Sequence, residues 1–290
     1  GSLVGSEMCI RDSEKESVSC AISVLSKLCS RPINISLRKE SQSFLRELSD
    51  VFIHNVSGPH PSGNLSTIIN KVCPINKGDI IWTLNLPDLI IIGRALLEGK
   101  FLAERLIALA GSSVSKPKYV KTLIGSNISS FLKLNEKNSR VISGNVLTGT
   151  KLGSIAHLRY YSNEVTAIPE GDDYDLFGWA KPMFDKFSVS RALTFSWLFP
   201  DKKYNLNTNT NGEHRAFVVT GSFEEVFPLD IYPLQILKAC MYKDLDEMEA
   251  LGMYEVSPED FALTEFICVS KQPHQNIIRE GLDLMRKEIG

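Results

Sequence analysis

The sequence predicts a multidomain chain of mixed α/β and α+β class. Three observations carry that reading. Helix-spaced and strand-spaced apolar stretches alternate over residues 17–56, as in part of an α/β domain. Two strands, a short helix and a returning strand are compressed into residues 105–144, and from Pro228 onward the pattern is helical. At 290 residues the chain has room for two domains or three small ones.

Taken in order, Val18, Ala21, Ile22, Val24, Leu25 and Leu28 fall on one helical face between Ser17 and Leu28, and Arg31-Pro32 ends it. Ile33 to Leu37 alternates like a strand, Ser41 to Ser49 carries Phe44, Leu45 and Leu48 at helical spacing, and Val51 to Val56 is a second strand. A Gly- and Pro-rich loop follows at Ser57 to Gly63. Leu86 to Gly99 reads as a helix with Pro87 in its first turn and Gly99 as its C-terminal cap. Arg105 to Ala110 and Tyr119 to Leu123 are strands. A short helix at Gly125 to Leu132, entered through Ser126 or Asn127, and a strand at Arg140 to Ser143 complete a small unit of β-grasp type. Tyr160 to Val219 is irregular, strand-like and turn-rich. Helices are then expected at Pro233–Tyr242, Leu245–Leu251, Pro258–Phe266 and Gln275–Glu288, and Ser257-Pro-Glu-Asp260 is a strong N-terminal signal.

Composition removes several function classes. A net charge of -2 offers no basic excess to hold nucleic acid or an anionic lipid surface. The longest apolar run, Leu84 to Leu97, is broken by Pro87, Asp88 and Arg94 and falls short of the ~20 residues a spanning helix needs. Any link to a membrane therefore runs through a partner. The six cysteines, Cys9, Cys20, Cys29, Cys73, Cys240 and Cys268, lack the close pairing of zinc and iron–sulfur sites and read as reduced, mostly buried thiols. The first thirteen residues, GSLVGSEMCIRDS, resemble a translated sequencing adaptor and are set aside from the fold reading, with an upstream continuation of the gene expected.

Several stretches resemble the NqrA family, the A subunits of sodium-translocating NADH:quinone reductases. They include Gly58-Pro-His-Pro-Ser-Gly63, Ile80-Ile-Trp-Thr-Leu-Asn85, Arg105-Leu-Ile-Ala-Leu-Ala-Gly111, Arg140-Val-Ile-Ser-Gly-Asn-Val-Leu-Thr-Gly149, Leu176-Phe-Gly-Trp179, Phe227-Pro-Leu-Asp230 and Pro258-Glu-Asp-Phe-Ala-Leu263. The resemblance implies an N-terminally truncated chain with four parts. These are the C-terminal part of a Rossmann-like domain (14–104), a β-grasp domain of soluble-ligand-binding (SLBB) type (105–154), a family-specific β-rich segment (155–227) and a C-terminal helical domain (228–290). It implies a non-catalytic subunit without a redox cofactor, peripheral on the cytoplasmic side of the bacterial inner membrane, capping the quinone-handling membrane subunit. NADH, FAD, FMN, riboflavin and iron–sulfur centres are then expected on other subunits, with ubiquinone or menaquinone as the substrate of the complex. The family is similar to the flavin-binding subunit of complex I and to the C subunit of the Rnf complex. An Rnf-like electron-transfer subunit or a free-standing SLBB ligand-binding module are the alternatives.

Against that background few residues invite chemistry. Cys268 stands where the Rnf-like relatives carry a cysteine cluster, but one thiolate does not hold a [4Fe–4S] centre, and a buried thiol is the simpler role. Gly144 to Gly153 lacks the spacing and following helix of a dinucleotide loop, and no GxGxxG, Walker A or GxSxG motif occurs. His54, His157, His214 and His274 are scattered without metal-site spacing. The aromatic-rich middle, with Trp82, Trp179, Trp197, Phe177, Phe184, Phe187, Phe195 and Phe199, reads chiefly as core, although Phe195 to Phe199 could form an apolar patch toward another subunit. The candidate site is therefore the loop carrying Gly58, Pro59, His60, Pro61 and Gly63, whose prolines brace a quinone or subunit contact; no catalytic or metal residue is assigned.

Overall fold

The computed structural model describes residues 14–288 except 30, 42, 50, 154, 155, 172–174, 179, 182, 183, 185 and 192–195. The set-aside residues 1–13, together with Trp179 and Phe195, lie outside the described residues.

Helix α1 (Lys15–Leu28) leads into β1 (Ile33–Arg38) and β2 (Val51–Val56), which pair parallel with Ile33 opposite Val51 and Arg38 opposite Val56. The helix expected at 41–49 is only a 3-10 turn, Phe44–Glu47. Arg46 explains the difference. Its guanidinium donates to the carbonyls of Ser41 at 2.8 Å, Arg38 at 3.2 Å and Lys39 at 3.3 Å, satisfying acceptors through a side chain instead of a helical ladder. Helix α2 (Leu65–Val72), absent from the sequence reading, and α3 (Leu86–Glu98) follow. As its Pro and Gly signals indicate, α3 ends on Gly99 at φ 66°, whose N–H donates to the Ala95 carbonyl. Val18, Ile22, Leu37, Phe44 and Leu45 form the core of this unit, with Ile35, Ile53 and Ile90 against it.

The second unit is a five-stranded mixed sheet ordered β4-β3-β7-β5-β6, built from β3 (Glu104–Ala110), β4 (Lys118–Leu123), β5 (Ser139–Ser143), β6 (Thr150–Lys151) and β7 (Glu164–Pro169). Strand β7 comes from the stretch read as irregular, strand-like and turn-rich, and it is the central strand, parallel to β3 and antiparallel to β5. At Gly111, φ is 102° and a Cβ would sit 2.0 Å from the Ala167 carbonyl oxygen, so the β3 turn requires glycine. The short helix expected at 125–132 contracts to a 3-10 turn, Ile128–Ser130, capped by Asn127, whose Oδ1 accepts the Ser129 N–H at 2.9 Å. Its neighbouring backbone is engaged elsewhere: Ile128 N–H donates to Ala156 O and Leu158 N–H to Ser126 O.

The third unit is helical: α4 (Ser222–Val226), α5 (Pro233–Tyr242), α6 (Leu245–Ala250), α7 (Ala262–Ile267) and α8 (His274–Glu288). The helix expected at 258–266 is divided into a 3-10 turn, Pro258–Phe261, and α7. Ile236, Leu237, Met248, Met253, Phe261, Cys268 and Ile278 are fully enclosed in its core.

Two expectations about burial are corrected. Only Cys240 and Cys268 of the five described cysteines are buried, because Cys29 and Cys73 fall at helix ends; all five are free thiols. The aromatic middle is not core: Trp82 is 89% exposed, and Phe177, Phe184, Trp197 and Phe199 are exposed too. These rings lie in non-periodic stretches, so no single face gathers them against a sheet or helix. Phe187 packs on the rings of Tyr204 and Phe266.

Two outcomes follow for stability. A Cβ on Gly93 of α3 would stand 1.8 Å from the Ser17 carbonyl oxygen of α1, so Gly93→Ala should cost about 3 kcal/mol or more by overpacking. Gly153→Ala, with nothing within 4 Å, should shift the urea midpoint little by comparison. His274 is buried among Phe217 and Phe223 with Nδ1 2.9 Å from Thr264 Oγ1, and burial pushes its pKa from 6.5 down to about 4. Between those values the unfolded chain binds the proton and the folded chain does not. Its contribution is therefore fully present above pH 6.5 and is lost as pH falls toward 4, by about 3 kcal/mol. Urea titrations across this range should show the slope in the parent and lose it in His274→Phe.

Candidate functional site

The loop at 58–63 is built by two prolines that remove backbone donors and by the turns that remain. Ser62 N–H donates to Pro59 O at 3.0 Å and Asn64 N–H to Pro61 O at 2.8 Å, while Gly58 takes φ 118° and the His60–Pro61 bond is cis. Gly58, Pro59, His60 and Gly63 are exposed and Pro61 is half-buried. The fold thus presents His60 outward on a braced turn. Just behind it, Asn64 Nδ2 and Thr67 Oγ1 are buried without a hydrogen-bond partner among the described residues, leaving polar capacity unused at the start of α2.

Helix α2 is itself clamped to the helical unit. Ser66 Oγ donates to the buried Asp260 carboxylate, whose other oxygen accepts the Ser257 N–H at 2.8 Å and hydroxyl at 3.1 Å. Asn70 Nδ2 donates to Glu255 at 2.6 Å and Lys77 reaches Glu249 at 3.2 Å. The Ser257 cap read from the sequence therefore does two jobs: it starts the 3-10 turn and fixes Asp260 for the helix that carries the loop.

A second polar joint connects α3 to the five-stranded sheet. Buried Asp88, in the first turn of α3, pairs with the enclosed guanidinium of Arg105 on β3, which also donates to Tyr160 O at 2.5 Å and Asn163 Oδ1 at 3.2 Å. Nearby, Arg94 pairs with Glu14 and stands 3.7 Å from Glu104; the Arg94 hydrogen bond lowers the Glu14 pKa. None of these residues was singled out for function from sequence. The signal was present, since Asp88 interrupts the longest apolar run, and a charge inside such a run marks a buried partner.

The remaining candidates are dispersed. Cys268 is enclosed in the helical core, and burial raises the Cys240 thiol to about 11. Residues 144–149 form the turn from β5 into β6, with Gly144 at φ 102°. His54 bonds Asn34 at 2.9 Å, His157 bonds Gly125 O at 3.0 Å, and His214 is exposed. Among the described residues no three His, Cys, Asp or Glu side chains gather as a metal site, and no helix is long and apolar enough to cross a membrane.

Fold and site together describe a multi-unit α/β scaffold that displays a proline-braced, largely exposed loop at 58–63. Two family models match, one described as the NqrA second alpha/beta domain over residues 4–101, which includes part of the segment set aside above, and one as the NQRA C-terminal domain over 106–153. Curated relatives, each named as the A subunit of a Na(+)-translocating NADH-quinone reductase, are similar over most of the chain. The Neisseria meningitidis serogroup B protein is 36% identical over 91% of this chain and 60% of its own length. The Vibrio atlanticus protein is 38% identical over 87% and 56%, and the Vibrio alginolyticus protein 35% over 96% and 63%. The chain belongs to the NqrA family, the A subunits of the Na(+)-translocating NADH-quinone reductase, and it spans about 60% of the length of the relatives it matches.

Asp88→Ala should leave Arg105 charged and unpaired in the interior and cost about 3–5 kcal/mol in urea unfolding. Lys15→Ala, which removes an exposed pair with Glu47, should cost about 1 kcal/mol at most.

Proposed function

We propose that this chain acts as a peripheral, cofactor-free subunit of a Na(+)-translocating NADH:quinone reductase, in which NADH oxidation and quinone reduction drive sodium export. The observation that carries the reading is the 35–38% identity to NqrA relatives along 87–96% of the chain. In this reading NADH, flavins and the iron–sulfur centre reside on other subunits. The chain caps the quinone-handling membrane subunit on the cytoplasmic face of the inner membrane.

Surface composition supports an assembled state over a free-standing module. The extended stretch 80–84 leaves Ile80 82% exposed and Trp82 and Leu84 exposed beside it, and Trp197, Leu198 and Phe199 form a second apolar patch. Apolar surface on this scale favours a partner that removes it from water. The loop bearing Gly58, Pro59, His60, Pro61 and Gly63 is the proposed contact with quinone or with the membrane subunit. Its low conformational freedom lowers the ordering cost of binding.

The test is affinity purification of the tagged protein from native membranes, with identification of co-purifying chains and a visible spectrum after separation. Recovery of the membrane reductase subunits, with the tagged chain itself colourless, is the expected result. A chain recovered alone, or one carrying flavin or iron–sulfur absorbance, would falsify the reading. His60→Glu, at an exposed position, should leave the unfolding midpoint unchanged while lowering recovery of the membrane subunit.

A further inference from the structure

A groove of about 540 Å³ opens beside β5 and β6 of the five-stranded sheet, and none of residues 58–63 lines it. That volume is in the range of small-molecule sites, about 300–1,000 Å³. Its floor is apolar: Ile128 is buried, and Leu132 and Leu152 pack partly buried against the same core. Its rim carries Lys137, Arg140 and Lys151, and among the described residues no carboxylate lines it. Glu170 sits behind the rim. It accepts from Arg140 Nε at 3.0 Å and from Lys151 at 3.4 Å, and the Arg140 hydrogen bond holds its carboxyl down at about 2. One carboxylate therefore backs a rim of three cations, and Lys137 stands exposed at the opening.

Apolar floor and cationic rim select for a ligand with both characters. A neutral hydrophobe would leave the rim charges unanswered, whereas a polyanion would find too little cationic surface and an apolar floor to desolvate. We propose that this groove binds a small amphipathic carboxylate, with its alkyl part on Ile128, Leu132 and Leu152 and its carboxylate at Lys137 and Lys151. This site is separate from the contact loop and does not depend on assembly with other subunits. Glu170 has a positioning role, because it holds the Arg140 and Lys151 side chains along the rim.

The test is isothermal titration calorimetry of the 290-residue chain with hexanoate, octanoate and 1-octanol at low ionic strength. Octanoate should bind more tightly than hexanoate, by about two- to fourfold for each added methylene, because the floor buries the added carbons. It should bind at least tenfold more tightly than 1-octanol. Lys137→Glu should weaken octanoate at least fivefold, whereas Lys118→Glu, an exposed lysine on β4 outside the groove, should leave it unchanged. Equal affinity for octanoate and 1-octanol, equal loss in the two lysine variants, or no heat of binding at all would overturn the proposal.

Discussion

The enclosed pair between Asp88 and Arg105 is the constraint on which the arrangement of the first two units depends. A guanidinium this deep is tolerated because its two terminal nitrogens are answered by the carboxylate of α3, the Tyr160 carbonyl and the Asn163 amide oxygen, with the Tyr160 ring against its face. Those partners come from separate stretches of chain. Arg105 is the second residue of β3, and Asn163 immediately precedes β7, the strand beside it. One side chain therefore sets the angle of α3 against the sheet and the entry of the central strand. Removing water from such a group is costly, so the arrangement tolerates little intermediate geometry.

The same logic recurs where the helical unit is attached. Ser66 and Asn70 on α2 meet Asp260 and Glu255 across nearly two hundred residues of sequence, and these joints use hydrogen bonds to carboxylates that the helical unit already holds in place. Asp260 is held by Ser257 independently of Ser66, so the α2 contact adds little side-chain ordering at that carboxylate. The 58–63 loop sits directly upstream of that docked helix. Its orientation is thereby set from both sides, by β2 and by α2, and its prolines keep the turn between them stiff.

Element identity was legible where the signal was local. Val51–Val56, Pro233–Tyr242 and the Gly99 cap were readable from alternation, Pro at the first turn and a terminal glycine. What failed was also local in appearance but decided at a distance. Phe44, Leu45 and Leu48 have helical spacing, yet the Arg46 guanidinium takes the Ser41 carbonyl that a helix there would offer to the backbone N–H four residues on. Residues 125–132 look like a short helix until Ala156 and Leu158 claim their backbone groups. Strand β7 was obscured by the turn-rich residues around it, and its central place depends on partners some 25 and 56 residues away in sequence.

The candidate loop was legible because its chemistry is compositional: two prolines and two glycines announce a turn wherever the fold puts them. The joints behind it were not, because an ion pair or a serine–carboxylate bond leaves no period in the sequence. Asp88 is the instructive case. In the sequence it counts only as a break that prevents a membrane-spanning reading of 84–97; in the structure the same charge is what holds helix α3 to the sheet. A charged residue inside an apolar run therefore carries two pieces of information. The first, that the run is not a membrane span, follows from the cost of a charge in hydrocarbon. The second, that some distant cation is enclosed with it, follows from the cost of an unpaired charge in any interior, and only the fold can say which cation it is.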